Sequence, residues 1–525
     1  MKTKDIAVTL LIGSSLTFAA CESFLDEDPR SAVTSVAYYQ NEAQAQGQIN
    51  SLYRMGAPLR YASAGSAYVG PNASINTMLT GYFTNSYEGQ ELITLYAREL
   101  TRQNNTRIVS NTMNSIWNDC YKAINIANAA IKYIPSIEMD AALKAKLVGE
   151  AKFFRAYNYF YLVKTFGDLP LSTTPYEAPT DELYLPRTDE SEVYALIESD
   201  LKEAVEVLPA STFANNAHRI SRFVAAMALA DVYQQQGKFA DAATYIQIVL
   251  DSPHELTANA DHGMNSAYNK LRETDDLNEA IYAYEYDGTI NDSGWWTTYA
   301  FSSSATSIFT TYSIFERVFG PTDRFLNVYE SDDLRIQPNQ FFHWEYTHPV
   351  TNAKWSSSQA GIWYYYDEDA LLNTGKGTKD WNLYRYAEAL LIAAESIARS
   401  SGVTDAAEYL AQIKARADIN GKTVAAYTTE LQSLPVEQFV QEVWTERLRE
   451  LPLEFKMWDD CLRTGMFPVI SESVKGQVNF VPLVGAQNGS GATFKETDLR
   501  WPISLDELQR NPKLTQNSGY QDIPR

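Results

Sequence analysis

From about residue 114 onward, apolar positions recur with the period of an amphipathic α-helix. In SIWNDCYKAINIANAAIKYI, residues such as Ile116, Ile124 and Ala127 form one apolar stripe. A second periodic run, AALKAKLVGEAKFFRAYNYFYLVKTFG, stops at Gly167, and Pro170 follows it, which is a usual end signal of a helix. The two runs predict a pair of antiparallel helices.

Two later segments carry the order of small residues that is typical of tetratricopeptide repeats. In the first segment Ala242 follows Gly237 by five residues, and in the second Ala407 follows Gly402 by the same step. A single helix pair of this kind cannot bury its own apolar face, so neighbouring pairs must stack. The pattern predicts a mainly α fold, a tetratricopeptide-like helix-pair scaffold with a large insertion of loops and short strands.

Between these two segments, the helical period gives way to short alternating runs such as EAIYAYEY, FFHWEY and IWYYY. Gly, Ser, Asn and Asp separate the runs, which predicts loops and short strands laid over the helices. No Pro-, Gly- or Ser-rich linker divides the chain. The predicted organisation is a signal peptide over 1–20 and a single lobe over 21–525, with the scaffold at about 114–254 and 381–420, the insertion at about 255–380 and a C-terminal segment at 421–525.

The N-terminal residues have the features of a secretory signal peptide, with two lysines followed by a short apolar run. The sequence Phe18-Ala19-Ala20-Cys21 resembles a bacterial lipobox, in which the cysteine carries the lipid. Ordinary cleavage after Ala20, which would leave a free thiol, is the alternative. Acidic residues directly behind Cys21 are similar to the signal that sends Bacteroidetes lipoproteins to the outer face of the outer membrane. We therefore expect lipidation of Cys21 and a location in the outer membrane, facing the cell surface.

The composition narrows the range of partners. A formal net charge of −22 repels phosphate backbones, so we expect no nucleic acid as a partner. Besides Cys21 the chain has only Cys120 and Cys461, both in predicted helices, and their pairing stays open. Tyrosine and tryptophan, with 34 and 10 residues, outnumber the 22 phenylalanines, which favours aromatic surfaces that are buried on one side and wet on the other.

Motifs of known catalytic chemistry are missing from the sequence. It contains no HExxH, CxxC or GxSxG, and TGKGT lacks the first glycine of a phosphate loop. We therefore predict no catalytic residues, no metal site and no cofactor. Two possibilities stay open: a glycosidase carboxylate pair, which needs no sequence signature, and a calcium ion in the acidic loop at 330–333.

Aromatic rings next to amides and carboxylates are a better candidate for a functional site than any catalytic motif, and the site would bind a ligand. Sugar rings stack on aromatic faces, while their hydroxyls need a few well-placed polar partners. Adjacent tryptophans lie in the insertion beside an asparagine and an aspartate, and GYFTNSYEGQ holds a second such group. The alternative is that these rings belong to the core. The predicted ligand-binding residues are Trp295, Trp296, Tyr82, Tyr87, Asn85, Asn291 and Asp292.

Several motifs, taken in order, resemble the SusD/RagB family, surface lipoproteins of Bacteroidetes that bind nutrients beside an outer-membrane transporter. They are FLDEDP behind Cys21, FFRAYNYFYLVKTFGDLPL, YESDDLR, TERLRELPLEFKMWDDCLRTG and the tail LRWPISLDELQRNPKLTQNSGY. The family usually has an arginine where this chain has Met457. The fourth motif predicts a charge network on a helix packed against its neighbours, made of Glu446, Arg447, Glu450, Glu454 and Arg463.

The resemblance implies a glycan-binding lipoprotein that covers a SusC-like TonB-dependent transporter and hands it an oligosaccharide or polysaccharide without catalysis. It also implies that loops before the first helix pair, together with the insertion, form the binding face. Three alternatives stay open. They are a RagB-like lid that binds peptides, a surface enzyme that cleaves glycosides, and a scaffold that braces the transporter without contacting ligand.

Overall fold

The computed structural model describes residues 38–55, 74–86, 97–101, 113–177, 183–288, 294, 296–301, 303–309 and 317–521. The predictions for Cys21, Tyr87, Asn291, Asp292 and Trp295 lie outside these residues. Within the described ranges, no helix has both the length and the apolar character needed to cross a membrane.

Most of the regular structure is α-helical, and side-chain caps fix the start of several helices. The carboxylates of Asp140 and Asp189 and the hydroxyl of Ser221 each accept a backbone N–H from the first turn of the helix that follows. In chain order the helices are α1 (Glu42–Met55), α2 (Ser74–Met78), α3 (Asn114–Tyr133), α4 (Ala141–Phe166), α5 (Glu190–Val207), α6 (Arg222–Gln235), α7 (Phe239–Leu250), α8 (Ala267–Glu273), α9 (Trp296–Ala300), α10 (Asp323–Leu326), α11 (Tyr386–Ser400), α12 (Val403–Ala417), α13 (Val424–Gln432), α14 (Val436–Glu450), α15 (Met457–Thr464) and α16 (Leu505–Arg510).

Short strands form two-stranded pairs, of which β1–β3 and β2–β6 connect distant parts of the chain. The pairs β1–β3, β2–β6, β4–β5 and β7–β8 are antiparallel. In β2–β6, Ala280 lies opposite Arg385 and Tyr284 opposite Trp381, so this pair joins the beginning of the predicted insertion to its end. The strands are β1 (Phe83–Thr84), β2 (Ala280–Tyr284), β3 (Gly320–Pro321), β4 (Phe342–Thr347), β5 (Lys354–Ile362), β6 (Trp381–Arg385), β7 (Met466–Ile470) and β8 (Val478–Pro482).

Consecutive helices of the scaffold pack against one another. Helix α3 packs on α4, α4 on α5, α6 on α7 and α11 on α12. Helix α7 also packs directly on α11, so the two repeat-like segments are neighbours in space although chain 251–385 separates them. Gly237 and Gly402 occupy the inter-helix turns with φ of 70° and 112°, values that favour glycine. The predicted mainly α, tetratricopeptide-like fold is confirmed.

A buried network of charged side chains links the insertion to the scaffold and to α14. Arg385, at the end of β6, contacts Glu279 at 2.6 Å, Glu450 at 3.1 Å and Glu454 at 2.7 Å. Arg416 in α12 contacts Glu279 at 2.7 Å and Glu450 at 2.6 Å. Since these groups are almost fully buried, each depends on its partners to offset the loss of water.

The network extends into α15, as the sequence predicts. Arg447 contacts Asp460 at 2.8 Å, and Arg463 contacts Glu395 at 2.8 Å. Met457, at the position where the family usually has arginine, is buried among apolar residues. The predicted members are all paired. Glu446, Arg447, Glu450 and Glu454 are buried, and the Arg463 side chain is 3% exposed.

The two cysteines that the structure describes do not form a disulfide bond with each other. Cys120 in α3 and Cys461 in α15 are both buried, and the lack of a bond between them resolves the pairing that the sequence left open. Burial raises the pKa of the Cys461 thiol well above its ordinary value, and repulsion by Asp460 adds to the shift. This thiol is therefore a core residue with little thiolate character.

Candidate functional site

A cleft lies in the insertion where β6 begins, and we call it the aromatic cleft. Its aromatic walls are Trp296, Tyr364, Tyr365, Tyr366 and Trp381. Its polar lining is Arg272, Asp367, Lys379, Asp380, Asn382 and Glu454.

Stacked rings build the inner wall of the aromatic cleft. The rings of Trp296 and Trp381 stack with centroids 4.1 Å apart, and Phe455 lies on Trp381 at 5.5 Å and 12° from parallel. Tyr365 leans against both tryptophans, and its hydroxyl donates to the carbonyl oxygen of Leu453. The wall is fixed because its rings also belong to the main hydrophobic core.

Two glycines let separate segments meet at the mouth of the aromatic cleft. Gly294 and Gly377 exchange both backbone hydrogen bonds, at 2.8 and 2.9 Å. A Cβ atom on Gly294 would lie 2.8 Å from the Trp296 ring and 2.9 Å from the Tyr286 hydroxyl, and one on Gly377 would lie 2.8 Å from Asp367. Neither position has room for a side chain, so the backbone itself forms this edge.

Arg272 crosses the floor of the aromatic cleft in a fixed orientation. Its guanidinium lies 5.4 Å from the Trp363 ring centroid and 5.3 Å from that of Tyr366. Nε donates to Asn269 Oδ1 at 3.1 Å and Nη1 donates to the Tyr366 carbonyl oxygen at 3.1 Å. Burial lowers the pKa of Arg272, against the effect of Glu273. Arg272 thus places a positive charge beside the rings.

Two carboxylates of the aromatic cleft are held by donors from neighbouring elements. Asp380 Oδ1 accepts from the Tyr286 backbone N–H at 2.9 Å, and Glu454 Oε1 accepts from Arg385 Nε at 2.7 Å. Burial, with added repulsion from Asp275, raises the pKa of Asp380 to about 6. Burial raises the pKa of Glu454 to about 7 against the opposing effect of Arg385. The cleft therefore combines hydrogen-bonding groups with aromatic walls.

Trp296 lines the aromatic cleft, but it is not the open stacking surface that the sequence suggests. Only 7% of the residue is exposed, and Trp381, Tyr365 and Phe455 surround its ring. Its Nε1–H donates to the Tyr286 hydroxyl at 3.4 Å. Because neighbouring rings cover both faces of the indole, Trp296 shapes the wall and offers little surface to a ligand.

Tyr82 is a core residue, and its prediction as a ligand contact is wrong. It is fully buried, stacks on Phe467 at 5.6 Å, and donates its hydroxyl to the Pro468 carbonyl oxygen at 2.6 Å. An alternation of aromatic and polar residues in a non-helical segment does not reveal which face is covered. Asn85 is half-buried just beyond β1 and is not among the residues that line the aromatic cleft. Its role in binding stays a prediction.

Sequence reasoning missed most of the aromatic cleft. Tyr364 and Trp381 contribute rings, and Arg272 and Asp380 contribute charge, yet the four come from three separate segments. The available signal was the dense run IWYYY at 362–366, in which the Tyr365 ring centroid lies 5.4 Å from that of Trp381. That contact is tertiary, so the sequence pattern alone could not supply it.

The fold and the cleft together define a class of protein, a tetratricopeptide-like helical scaffold that carries an aromatic cleft on an insertion between two helix pairs. Two family models match the chain in complementary parts. Residues 23–234 match the model described as "Starch-binding associating with outer membrane", and residues 333–520 match the model described as "SusD family". The chain belongs to the SusD/RagB family.

Individual relatives agree with this assignment over nearly the full length. The chain is 25% identical to SusD-like protein P2 of Formosa agariphila, with 99% of this chain and 100% of the relative covered. A crystal structure of a SusD superfamily protein from Parabacteroides distasonis superposes with a TM-score of 0.79 at 26% identity, covering 91% and 99% of the two chains. Surface glycan-binding protein A from Bacteroides thetaiotaomicron, in complex with laminarihexaose, shares the fold with a TM-score of 0.67 at 17% identity, covering 91% and 100%.

Proposed function

We propose that this protein is a cell-surface glycan-binding lipoprotein that captures an oligosaccharide or polysaccharide and delivers it to a SusC-like TonB-dependent transporter, without catalysis. The observation that carries the proposal is the aromatic cleft, in which five rings stand next to carboxylates, an amide and two cations. Binding sites for small ligands are mainly apolar with a few placed polar groups, and this lining has that character.

The chemistry of the lining suits a sugar. Tyr364 is the least buried of the cleft rings, and Asn382 on β6 is half-buried beside it in the lining. A half-exposed ring can pack against the C–H face of a sugar, while amide and carboxylate groups bond its hydroxyls. The related structure with bound laminarihexaose and the starch-binding description of one matching model support the same class of ligand.

The proposed location rests on the N-terminus and on the family. Cys21 would carry the lipid, and the acidic residues behind it would direct the protein to the outer face of the outer membrane. The family description of association with the outer membrane supports this location. A transporter that lies in the same membrane would receive the captured glycan.

A peptide ligand is the second candidate, because Asp367 and Asp380 in the aromatic cleft would attract an ammonium group. Native gel electrophoresis through gels that each contain one polysaccharide separates the two candidates. Retardation by a polysaccharide supports the glycan, and we expect it to weaken in Tyr364→Ala but not in Tyr184→Ala, which removes an exposed tyrosine elsewhere. No retardation by any polysaccharide, together with binding of a peptide pool, would favour the second candidate.

A further inference from the structure

Three side chains with metal-binding atoms meet outside the aromatic cleft. His218 lies in the turn before α6, Asp276 in the loop between α8 and β2, and Glu285 directly after β2. One ligand atom from each residue lies within 4.8 Å of the other two. Within the described part of the chain, this is the group of three or more histidine, cysteine and acidic residues that converges in this way.

The two ring nitrogens of His218 face different carboxylates. His218 Nε2 lies 2.9 Å from Asp276 Oδ1, and His218 Nδ1 lies 3.5 Å from Glu285 Oε2. A tetrahedral ion that holds its ligands at about 2.0–2.2 Å keeps their donor atoms about 3.3–3.6 Å apart and takes one nitrogen of an imidazole. Since one ligand atom from each residue already lies within 4.8 Å of the other two, side-chain rotation would bring one imidazole nitrogen and two carboxylate oxygens into coordinating positions.

The charge of the group is unbalanced. Among the described residues, His218 is the only basic side chain that pairs with the carboxylates of Asp276 and Glu285. Lys379, the nearby lysine, is paired with Asp275 at 2.6 Å. When both are ionised, the two carboxylates carry a charge of −2, which a divalent cation would neutralise.

One further observation concerns Glu285. Its Oε1 atom is shielded from solvent and has no hydrogen-bond partner among the described residues, although 33% of the side chain is exposed, so one oxygen of a required ligand is unused.

We propose that His218, Asp276 and Glu285 form a binding site for a divalent transition-metal ion of the Zn²⁺ class. The imidazole favours such an ion over Ca²⁺, which prefers ligand sets made only of oxygen. His218 and Glu285 also line an open depression of about 740 Å³ beside α1, which leaves room for water or a further ligand on the ion. The site does not depend on the proposed glycan function.

Calorimetric titration of the purified, chelator-treated protein with ZnCl₂, and separately with CaCl₂, tests the site. We expect one equivalent of Zn²⁺ to bind and Ca²⁺ to bind far more weakly. His218→Gln and Glu285→Gln should each lower the Zn²⁺ affinity by at least about 100-fold, because loss of a direct ligand costs more than the roughly 10–100-fold of an outer-shell change. His262→Gln removes an exposed imidazole elsewhere and should leave the affinity unchanged.

The thermal midpoint of unfolding gives a second readout and controls for folding. Zn²⁺ should raise it in the parent protein and in His262→Gln, but not in His218→Gln. Should His218→Gln fail to fold, Asp276→Asn replaces it, because the Asp276 side chain is 48% exposed. Absence of Zn²⁺ binding to the parent, equal binding of Ca²⁺, or undiminished binding in the variants would overturn the proposal, because a protonated His218 bridging two carboxylates would then explain the group.

Discussion

The indole rings of Trp296 and Trp381 stack with their centroids 4.1 Å apart and their planes 18° from parallel. Trp296 begins α9 in the insertion, and Trp381 begins the strand that leads into scaffold helix α11. The contact therefore fastens the insertion to the scaffold and at the same time forms the wall of the aromatic cleft. The same stack therefore supports the fold and shapes the proposed binding site.

Removal of the stack should cost stability. Trp381→Ala deletes a ring that is 7% exposed, and we expect the free energy of unfolding to fall by about 3–5 kcal/mol. Trp381→Phe keeps a ring in place and should lose less free energy of unfolding than Trp381→Ala. Urea unfolding followed by circular dichroism measures both variants. A loss below about 1 kcal/mol for the alanine variant would contradict a structural role of the stack.

Helix positions and the buried charges were the most predictable features. The small-residue order at Gly237 and Gly402 encodes a local turn between helices, and the charges of Arg447 and Glu450 lie on one predicted helix. The cleft could not be predicted in the same way. Tyr364 and Trp381 line one cleft although separate segments of the chain carry them, and the burial of Tyr82 depends on Phe467, far away in the sequence.

The core position of Tyr82 predicts a change in stability without a change in binding. In Tyr82→Phe the Pro468 carbonyl and the Ile470 N–H both lose the hydroxyl, which bonds them at 2.6 and 3.1 Å. We expect a loss of about 1–3 kcal/mol in the free energy of unfolding. Glycan affinity, measured on the same preparation, should stay unchanged. Weaker glycan binding with an unaltered free energy of unfolding would contradict the core role and indicate that Tyr82 contacts the ligand.

The buried charge network should be intolerant of a missing charge. Glu450 contacts Arg335 at 3.0 Å, Arg385 at 3.1 Å and Arg416 at 2.6 Å. Glu450→Gln leaves three buried guanidinium groups short of a counter-charge, and we expect a loss of about 3–5 kcal/mol in urea unfolding.

A surface pair provides the matched control for Glu450→Gln. Among the residues that the structure describes, the salt bridge of Glu437 is with Arg399, at 3.2 Å, and the Glu437 side chain is 71% exposed. Glu437→Gln should change the free energy of unfolding by about 0–1 kcal/mol. Similar losses in the two variants would show that the buried network contributes no more than a surface ion pair.

Glu454 should leave a signature in the pH dependence of stability. Burial raises its pKa in the folded protein to about 7 from the ordinary 4.5, so the folded state binds the proton more tightly than the unfolded state. Its stabilising contribution is complete below pH 4.5 and is lost as the pH rises through 7. The parent should therefore lose stability relative to Glu454→Gln across this window. Urea unfolding at stepped pH measures the difference, and a difference that is constant or grows in favour of the parent would contradict the shift.

The central claim is that the aromatic cleft binds a glycan. Calorimetric titration tests this claim most directly. The parent protein, Tyr364→Phe and Tyr364→Ala are each titrated with the glycan that retards the protein in gels. Tyr364→Phe keeps the ring that packs on Phe341 at 5.2 Å, whereas Tyr364→Ala removes it. We expect near-parent affinity for the phenylalanine variant and a loss of about tenfold, equivalent to about 1.4 kcal/mol, for the alanine variant. Parent-like affinity in a folded Tyr364→Ala protein would contradict the claim and place the glycan elsewhere on the molecule.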